Sequence, residues 1–311
     1  MNMKYFLIIL LAILLVGGAV YYFINQEQQT YIKEETIETK DNATTTSNIE
    51  EKATTTVTEE MVDKKPESVI GKSIEGNQIK AYHFGDGKKE IIFIGGIHGG
   101  YSWNTALIGF ETIDWFKKNS NLIPKDVKVT VIPVLNPDGL KKVTGNTERF
   151  SASQVNQSKD IQTEGRFNAN EVDLNRNFAC DWKAVGTWQD REVSGGKSAF
   201  SEPETQAIRD YVTKNKPVAI VTWYSAEGSV YASNCGKGIS PETQTLTDIY
   251  AKASGYKSEK NFDHYAITGD MVNWFASQNL SAISVLLTTH DQTEWNKNQA
   301  GIEAVLKHFA E

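Results

Sequence analysis

The chain has 311 residues, of which 40% are hydrophobic, and a formal net charge of −7. This length suits one large domain or two small ones, and the acidic balance argues against a nucleic-acid partner, which needs a basic face. The sequence has no repeat of fixed period, which excludes solenoid and propeller folds.

The first segment, residues 1–25, is a predicted transmembrane anchor. Residues 5–24 carry no charge, and about 20 apolar residues span a bilayer as a helix. Lys4 precedes this stretch and Glu27 is the first charge after it, so the positive-inside rule predicts that the rest of the chain is extracytoplasmic, at the cell surface or in the periplasm. The alternative is a signal peptide cleaved near Ala19, which would make the protein secreted; the long apolar run favours the anchor.

Residues 26–67 are rich in Thr, Glu and Lys and have almost no apolar periodicity. Such a segment buries too little surface to offset its ordering entropy, so we expect a disordered linker. The composition changes at Ser68, and turn signals then alternate with apolar runs to the C-terminus. Residues 68–311 are therefore predicted to form one globular domain.

Strands and helices alternate along this domain. Two strands flank the turn Gly85-Asp86-Gly87, and a third, "VKVTVIPVL", ends in an Asn-Pro-Asp-Gly turn. The runs "PVAIVTWYS" and "SAISVLLTTH" are typical of central strands covered on both faces. Ser201 and Glu204 have capping-box spacing and predict a helix start. Helices are predicted at 103–118, 201–212, 241–254, 270–277 and 299–309.

This order predicts an α/β fold with a mixed, largely parallel central sheet and helices on both faces. Sites in such sheets lie at the carboxyl ends of strands. His98, Tyr224 and the loop after Leu287 occupy such ends. Two glycines follow His98, and glycine lets a backbone approach a ligand closely. A strand-end His beside such a turn is a candidate metal ligand.

Five segments, taken together and in order, resemble the zinc metallocarboxypeptidase family (carboxypeptidase A-like). The resemblance covers the chain from about Ser68 to the C-terminus, and no single motif decides it. The segments are "IGKSIEGNQIKAYHFGDG", "IPVLNPDGL", "GRFNANEVDLNRNF", "SEPET" and "ITGDMVNWFASQNLSAISVLLTTHDQTEW".

The resemblance implies a zinc site, but most of its positions hold other residue types. In the family a His and a Glu from one loop and a His from a later strand bind zinc, and a further Glu acts as general base. The first His matches His98; the Glu position falls on Ser102 (Tyr101 is one residue earlier), and the second His position falls on Tyr224. The general-base position falls on Leu286. We therefore expect no zinc cofactor in this chain, although the family uses one.

The substrate-binding residues of the family are present. Asn175 and Arg176 match the pair that binds the C-terminal carboxylate of the substrate, and the planar Arg fork suits a carboxylate. Arg166 matches the Arg that stabilises the oxyanion, and Tyr265 matches a capping Tyr. Asp270 has two equal interpretations: a pocket acid that favours a basic terminal residue, or a helix N-cap.

Three functions are open at this stage. The first is a catalytically inactive, membrane-anchored domain that binds the C-terminus of a peptide or of a peptidoglycan stem. The second is an active carboxypeptidase with a displaced metal site, which would recruit His264, His290 or Glu227 beside His98. The third is a structural or partner-binding surface domain with an unused cleft.

The only two cysteines, Cys180 and Cys235, both lie near the expected cleft. Outside the cytoplasm such a pair favours a disulfide bond, and two buried thiols are the alternative.

Overall fold

The computed structural model describes residues 66–310, in which ten strands and seven α-helices are assigned. The predicted anchor and nearly all of the predicted linker lie outside these residues. The strands are β1 Glu67–Lys72, β2 Gln78–Phe84, β3 Lys89–Ile94, β4 Val127–Ile132, β5 Val185–Trp188, β6 Arg191–Ser194, β7 Ala219–Ser225, β8 Ser229–Ala232, β9 Lys257–Glu259 and β10 Ala282–Leu287. The α-helices are α1 Trp103–Lys118, α2 Pro137–Thr144, α3 Lys159–Glu164, α4 Pro203–Asn215, α5 Pro241–Ser254, α6 Met271–Ser277 and α7 Trp295–Ala310.

A mixed eight-stranded sheet has the order β1-β2-β4-β3-β7-β10-β8-β9. Its four central strands, β4, β3, β7 and β10, are mutually parallel. The strands β1 and β2 are antiparallel to their neighbours, and β8 is antiparallel to β10. The hairpin β5–β6 forms a separate two-stranded sheet. This arrangement agrees with the predicted mixed, largely parallel sheet.

The central strands are buried on both faces, which explains their continuous apolar runs. Alternate residues enter two separate core clusters, because successive side chains of a strand point to opposite faces. One cluster contains Trp223 of β7 with residues of α1, α5 and α7, and the other contains Tyr224 and Leu286 with residues of α4 and α6. Helices therefore cover both faces of the sheet.

The predicted helices 103–118, 241–254 and 270–277 are confirmed, the last with Asp270 as its N-cap. The last helix begins at Trp295, four residues earlier than predicted. The predicted Asn-Pro-Asp-Gly turn is the first turn of α2, because the Asn136 side chain accepts a hydrogen bond from the backbone N–H of Gly139. A capping Asn followed by Pro is also a helix-start signal, and here that alternative is correct.

The capping box predicted for α4 is wrong. The helix begins at Pro203, its N-cap is Glu202, and no side chain caps its first turn. The Ser201 hydroxyl donates instead to the Glu202 carboxylate at 2.7 Å. None of the helices between residues 66 and 310 is both long and apolar enough to cross a bilayer.

Candidate functional site

A cavity of about 630 Å³ opens at the carboxyl ends of the central strands. Side chains from β7, β8, β10 and α6 line one part of it, and loops after β3 and around residues 166–176 line another. Most of the predicted site residues line this cavity: His98, Arg166, Asn175, Arg176, Tyr224, Tyr265, Asp270 and Leu286. Ser102 is 1% exposed and is not among the lining residues.

The two glycines after His98 serve packing. A Cβ at Gly99 would lie 2.9 Å from the carbonyl oxygen of Asn136, and one at Gly100 would lie 2.6 Å from that of Gly139. Both distances are too short for a side chain, so the loop can lie against the start of α2 only with glycine there. The glycines therefore allow the loop after His98 to approach the backbone at the start of α2, whereas the sequence suggested an approach to a ligand.

His98 is buried beside Asp173 and Tyr224. Its Nε2 lies 3.4 Å from Asp173 Oδ1, and its ring centroid lies 5.8 Å from that of Tyr224. Neither ring nitrogen forms a hydrogen bond within residues 66–310. Burial, followed by the Arg166 cation, lowers the pKa of His98 to about 4, so the imidazole is neutral at pH 7.

Tyr224 and Leu286 lie side by side, because they are paired residues on the parallel strands β7 and β10. The Tyr224 hydroxyl donates to Asn175 Oδ1 at 3.2 Å. Burial raises the pKa of Tyr224 well above its usual value, so the phenol keeps its proton. Leu286 is 8% exposed and presents only carbon atoms to the cavity.

These residues do not fit a zinc ion. Zinc needs deprotonated N, O or S ligands, and Tyr224 keeps its proton while Ser102 offers a neutral hydroxyl. Within residues 66–310, one group of three His, Cys, Asp or Glu side chains brings its ligand atoms within 4.8 Å of one another, and it is Cys180, Asp181 and Cys235. The two sulfur atoms of that group are joined in a disulfide bond. His98 and the neighbouring Asp173 are therefore not joined by a third His, Cys, Asp or Glu ligand within the described residues.

Arg166 forms a buried ion pair with Asp173. Its Nε and Nη2 donate to Asp173 Oδ2 at 3.0 and 2.8 Å. Although burial alone would raise the pKa of Asp173, the Arg166 cation holds it well below its usual range. The guanidinium also lies over the Trp188 ring, 4.3 Å from its centroid, on the tip of the β5–β6 hairpin. Arg166 is thus fixed in direction and largely neutralised.

Arg176 is buried without a direct ion pair, although its charge acts on the nearby carboxylates of Asp173 and Asp270. Its Nε and Nη2 donate to the carbonyl oxygen of Thr187 at 3.0 and 2.7 Å, and its Nη1 donates to that of Asn175 at 2.7 Å. The side chain is 1% exposed, yet no acidic group within residues 66–310 forms a salt bridge with it. A buried cation normally needs a compensating charge. Since Arg176 lines the cavity, a bound anion could supply that charge.

Asn175 and Asp270 form a hydrogen-bond network behind Arg176. Asn175 Nδ2 donates to Asp270 Oδ2 at 2.8 Å, and Asn175 Oδ1 accepts from the backbone N–H of Met271. Asp270 Oδ1 accepts from the backbone N–H of Asn273 at 2.7 Å, which is the N-cap role predicted as one alternative. Burial raises the pKa of Asp270. Both of its oxygens are therefore engaged within the protein.

The other histidines near the cavity do not join His98. His264 is exposed and lies 2.9 Å from Glu227, which raises its pKa. His290 packs against the Tyr101 ring at a centroid distance of 4.6 Å, and burial lowers its pKa to about 4. The Tyr265 ring lies beside Arg176, 5.9 Å from the guanidinium carbon. Tyr265 therefore lies in the cavity beside Arg176, as predicted. His264, His290 and Glu227 do not form a three-ligand group with His98 within the described residues.

Two contributors to the site were missed at the sequence level. Asp173 orients Arg166, contacts His98 and caps the short helix Leu174–Arg176 through the N–H of Asn175. The sequence does indicate the capping role, because Asp173 directly precedes "LNRNF" and Asp is a common helix N-cap. Trp188 covers Arg166 from a hairpin that has no recognisable motif. Its role depends on tertiary packing.

The fold is an α/β domain whose cavity lies at the carboxyl ends of its central parallel strands. The profile of the zinc carboxypeptidase family matches residues 54–307, so the chain belongs to that family. The gamma-D-glutamyl-L-diamino acid endopeptidase 1 of Lysinibacillus sphaericus is 23% identical over 225 residues, which are 66% of this chain and 56% of that protein. The chain spans about half the length of the curated relatives it first matches.

Solved structures show the same fold. The murein-tripeptide amidase MpaA from Escherichia coli O157 superposes with a TM-score of 0.53 at 20% identity, over 78% of this chain and 91% of that one. The carboxypeptidase A from Helicoverpa armigera superposes with a TM-score of 0.57 at 22% identity, over 78% and 66% of the two chains. At these identities the likeness concerns the fold.

Proposed function

We propose that this member of the zinc carboxypeptidase family is an inactive, membrane-anchored domain that binds the C-terminal carboxylate of a peptide or of a peptidoglycan stem. The observation that carries the proposal is Arg176, a buried cation that lines the cavity and forms no salt bridge among the described residues. A carboxylate ligand would give it a direct ion pair through strong charge-assisted hydrogen bonds. The names of two similar proteins, a murein-tripeptide amidase and a gamma-D-glutamyl-L-diamino acid endopeptidase, favour peptidoglycan stems among such ligands.

The inactivity forms part of the same proposal. In our interpretation Ser102 and Tyr224 stand where the family has zinc ligands, and Leu286 stands where it has the general base. A general base contributes about 10²–10⁴-fold to a rate, and zinc supplies both the Lewis acid and the nucleophilic water of such a reaction. We therefore expect neither a zinc cofactor nor hydrolysis. The disulfide between Cys180 and Cys235 suits an oxidising, extracytoplasmic location.

The test compares two forms of one ligand on the purified full chain. A tripeptide with a free C-terminus should bind at least about tenfold more tightly than the same tripeptide with a C-terminal amide, measured by calorimetry. In Arg176→Ala the two forms should bind equally. Arg209→Ala, which removes a partly exposed Arg that is paired with Asp210 outside the cavity, serves as the matched control. Equal binding of the acid and the amide to the unaltered chain would overturn the proposal.

A further inference from the structure

We propose that the edge of the sheet opposite the cavity docks on an anionic lipid surface, so that the cavity faces away from the membrane. The inference rests on the membrane anchoring in the proposed function and adds the surface through which the domain meets the bilayer. Three features of this edge carry it: its charge, an exposed leucine, and the point at which the chain enters the domain.

The amino ends of the parallel strands define this edge. Lys89 of β3 is paired with Val127 of β4, so both strands begin at the same level, whereas the cavity lies at their carboxyl ends. The helices α1 and α4 end shortly before β4 and β7 begin. The Lys89 ammonium also donates to the carbonyl oxygen of Phe309, near the end of α7, at 3.0 Å. Three helix ends therefore lie at this edge.

Lysines are concentrated at this edge. Five segments lie there: residues 66–67, 85–89, 117–126, 214–216 and 307–309. They contain eight lysines and three acidic residues: Lys88, Lys89, Lys117, Lys118, Lys125, Lys214, Lys216 and Lys307, with Glu67, Asp86 and Asp126. Lys89 pairs with Asp126 at 2.9 Å, and the other seven lysines are exposed and form no salt bridge within residues 66–310. The chain as a whole has a net charge of −7, so this edge is positive in an otherwise acidic protein.

An exposed apolar residue lies among these lysines. Leu122 is 45% exposed at the end of the short 3-10 helix Ser120–Leu122, between Lys118 and Lys125 in the sequence. A leucine flanked by lysines can enter the headgroup region while the ammonium groups contact lipid phosphates. This combination favours a lipid bilayer over a soluble polyanion, which would use the charge alone.

The chain also enters the domain at this edge. The strand β2 ends there, because it is antiparallel to β4, and the N–H of His83 in β2 donates to the carbonyl oxygen of Pro66 at 2.9 Å. The predicted anchor and the predicted linker precede Pro66 in the sequence. A flexible linker of about 40 residues has an average reach of about 35 Å. A chain anchored in a bilayer would thus hold this edge near the lipid at high effective concentration, where a weak attraction suffices.

Fluorescence quenching by lipid tests the inference on the full chain. Ser120→Cys, beside Leu122, is labelled with a fluorescent maleimide, and the chain is reconstituted into vesicles of phosphatidylcholine alone or with about 30% phosphatidylglycerol. Because Cys180 and Cys235 are joined in a disulfide bond, labelling without reductant is confined to the introduced cysteine. Lipids with a nitroxide headgroup should quench the label at least about threefold more strongly in the anionic vesicles, and about 0.5 M NaCl should remove this excess. A label at Gln292→Cys, in the exposed loop after β10, should show no excess.

Two triple variants with the same loss of charge identify the surface. In the Ser120→Cys chain, Lys88→Gln, Lys125→Gln, Lys214→Gln removes three exposed lysines of this edge and should reduce the excess quenching to the level of neutral vesicles. The control, Lys183→Gln, Lys197→Gln, Lys252→Gln, removes three exposed lysines outside the five segments and should keep the excess. Equal losses in the two variants would overturn the inference.

The outcomes separate the two proposals. Chains that float with both types of vesicle but show no excess quenching in the anionic ones would end this inference and leave the anchoring standing. Chains that float with neither type would end the anchoring and this inference together, and the tripeptide measurements test the carboxylate binding independently. If soluble polyphosphate changes the emission of the label in neutral vesicles as much as anionic lipid does, the edge binds polyanions in general and the lipid assignment is wrong.

Discussion

At the residue scale, buried polar atoms without partners lie at the cavity wall and directly behind it. Both ring nitrogens of His98 and the Ser102 hydroxyl are buried without a hydrogen bond within residues 66–310. Unsatisfied buried polar atoms are costly, so each such atom needs an explanation. Our explanation is that His98 and Ser102 occupy positions of a former metal site, where an ion once gave the imidazole its partner.

A rebuilt site tests this explanation. The double variant Ser102→Glu, Tyr224→His should bind about one zinc per chain, because it restores three ligands of the types that zinc sites use. The unaltered full chain and either single variant should hold far less, measured by elemental analysis after dialysis. One tightly held zinc in the unaltered chain would contradict both this explanation and the proposed inactivity.

Sequence reasoning predicted that Asn175 and Arg176 lie in the cleft, because they belong to a short, specific segment, and both line the cavity. It did not show that the Arg176 guanidinium forms no salt bridge. That fact depends on Thr187 and Asn175 offering only carbonyl oxygens to it. The direction of a side chain's hydrogen bonds is set by neighbours that are distant in sequence.

At the element scale, the same tetrapeptide, Pro-Glu-Thr-Gln, begins two helices. In α4 it is Pro203–Gln206 and in α5 it is Pro241–Gln244. Proline in the first turn suits a helix start in both cases. Yet Glu204 is 0% exposed, whereas Glu242 is exposed. Burial raises the pKa of Glu204 to about 7.

This difference predicts that the titration of Glu204, but not that of Glu242, makes the stability of the domain depend on pH. Because the folded-state pKa of Glu204 lies above its usual 4.5, the folded state binds more protons between these two values, and its stability falls as pH rises through them. Glu204→Gln should remove up to about 3 kcal/mol of this loss between pH 4.5 and 8, measured by urea unfolding. Glu242→Gln is the matched control and should leave the pH profile unchanged. Identical profiles for the two variants would contradict the assignment.

At the scale of the whole molecule, the disulfide links two walls of the cavity. Cys180 follows the segment that holds Asn175 and Arg176, and Cys235 follows Asn234, which also lines the cavity; the two cysteines are 55 residues apart in the sequence. The sequence favoured this bridge, and the structure confirms it. The carbonyl oxygen of Cys180 also accepts from the N–H of Gly269, which ties the Tyr265 loop to the same segment.

Removing the bridge should destabilise the domain. Closing a loop of this length is worth about 4 kcal/mol in the chain-entropy description, so Cys180→Ser, Cys235→Ser should lower the free energy of unfolding by up to about that amount. Chemical denaturation measures it, and reductant should shift the unaltered chain in the same direction. Alkylation without reductant should modify neither cysteine. Rapid labelling of both would contradict the bridge.

The amino-acid sequence by itself determined the alternation of strands and helices, the family, and which residues are candidates for binding a carboxylate. These follow from local periodicity, helix-start signals and short specific segments, which do not depend on distant contacts. The tertiary structure alone decided which of two identical helix starts has a buried Glu, and that Arg176 forms no salt bridge within the described residues. Burial and hydrogen-bond direction arise from packing between segments that are far apart in the chain, so local patterns do not reveal them.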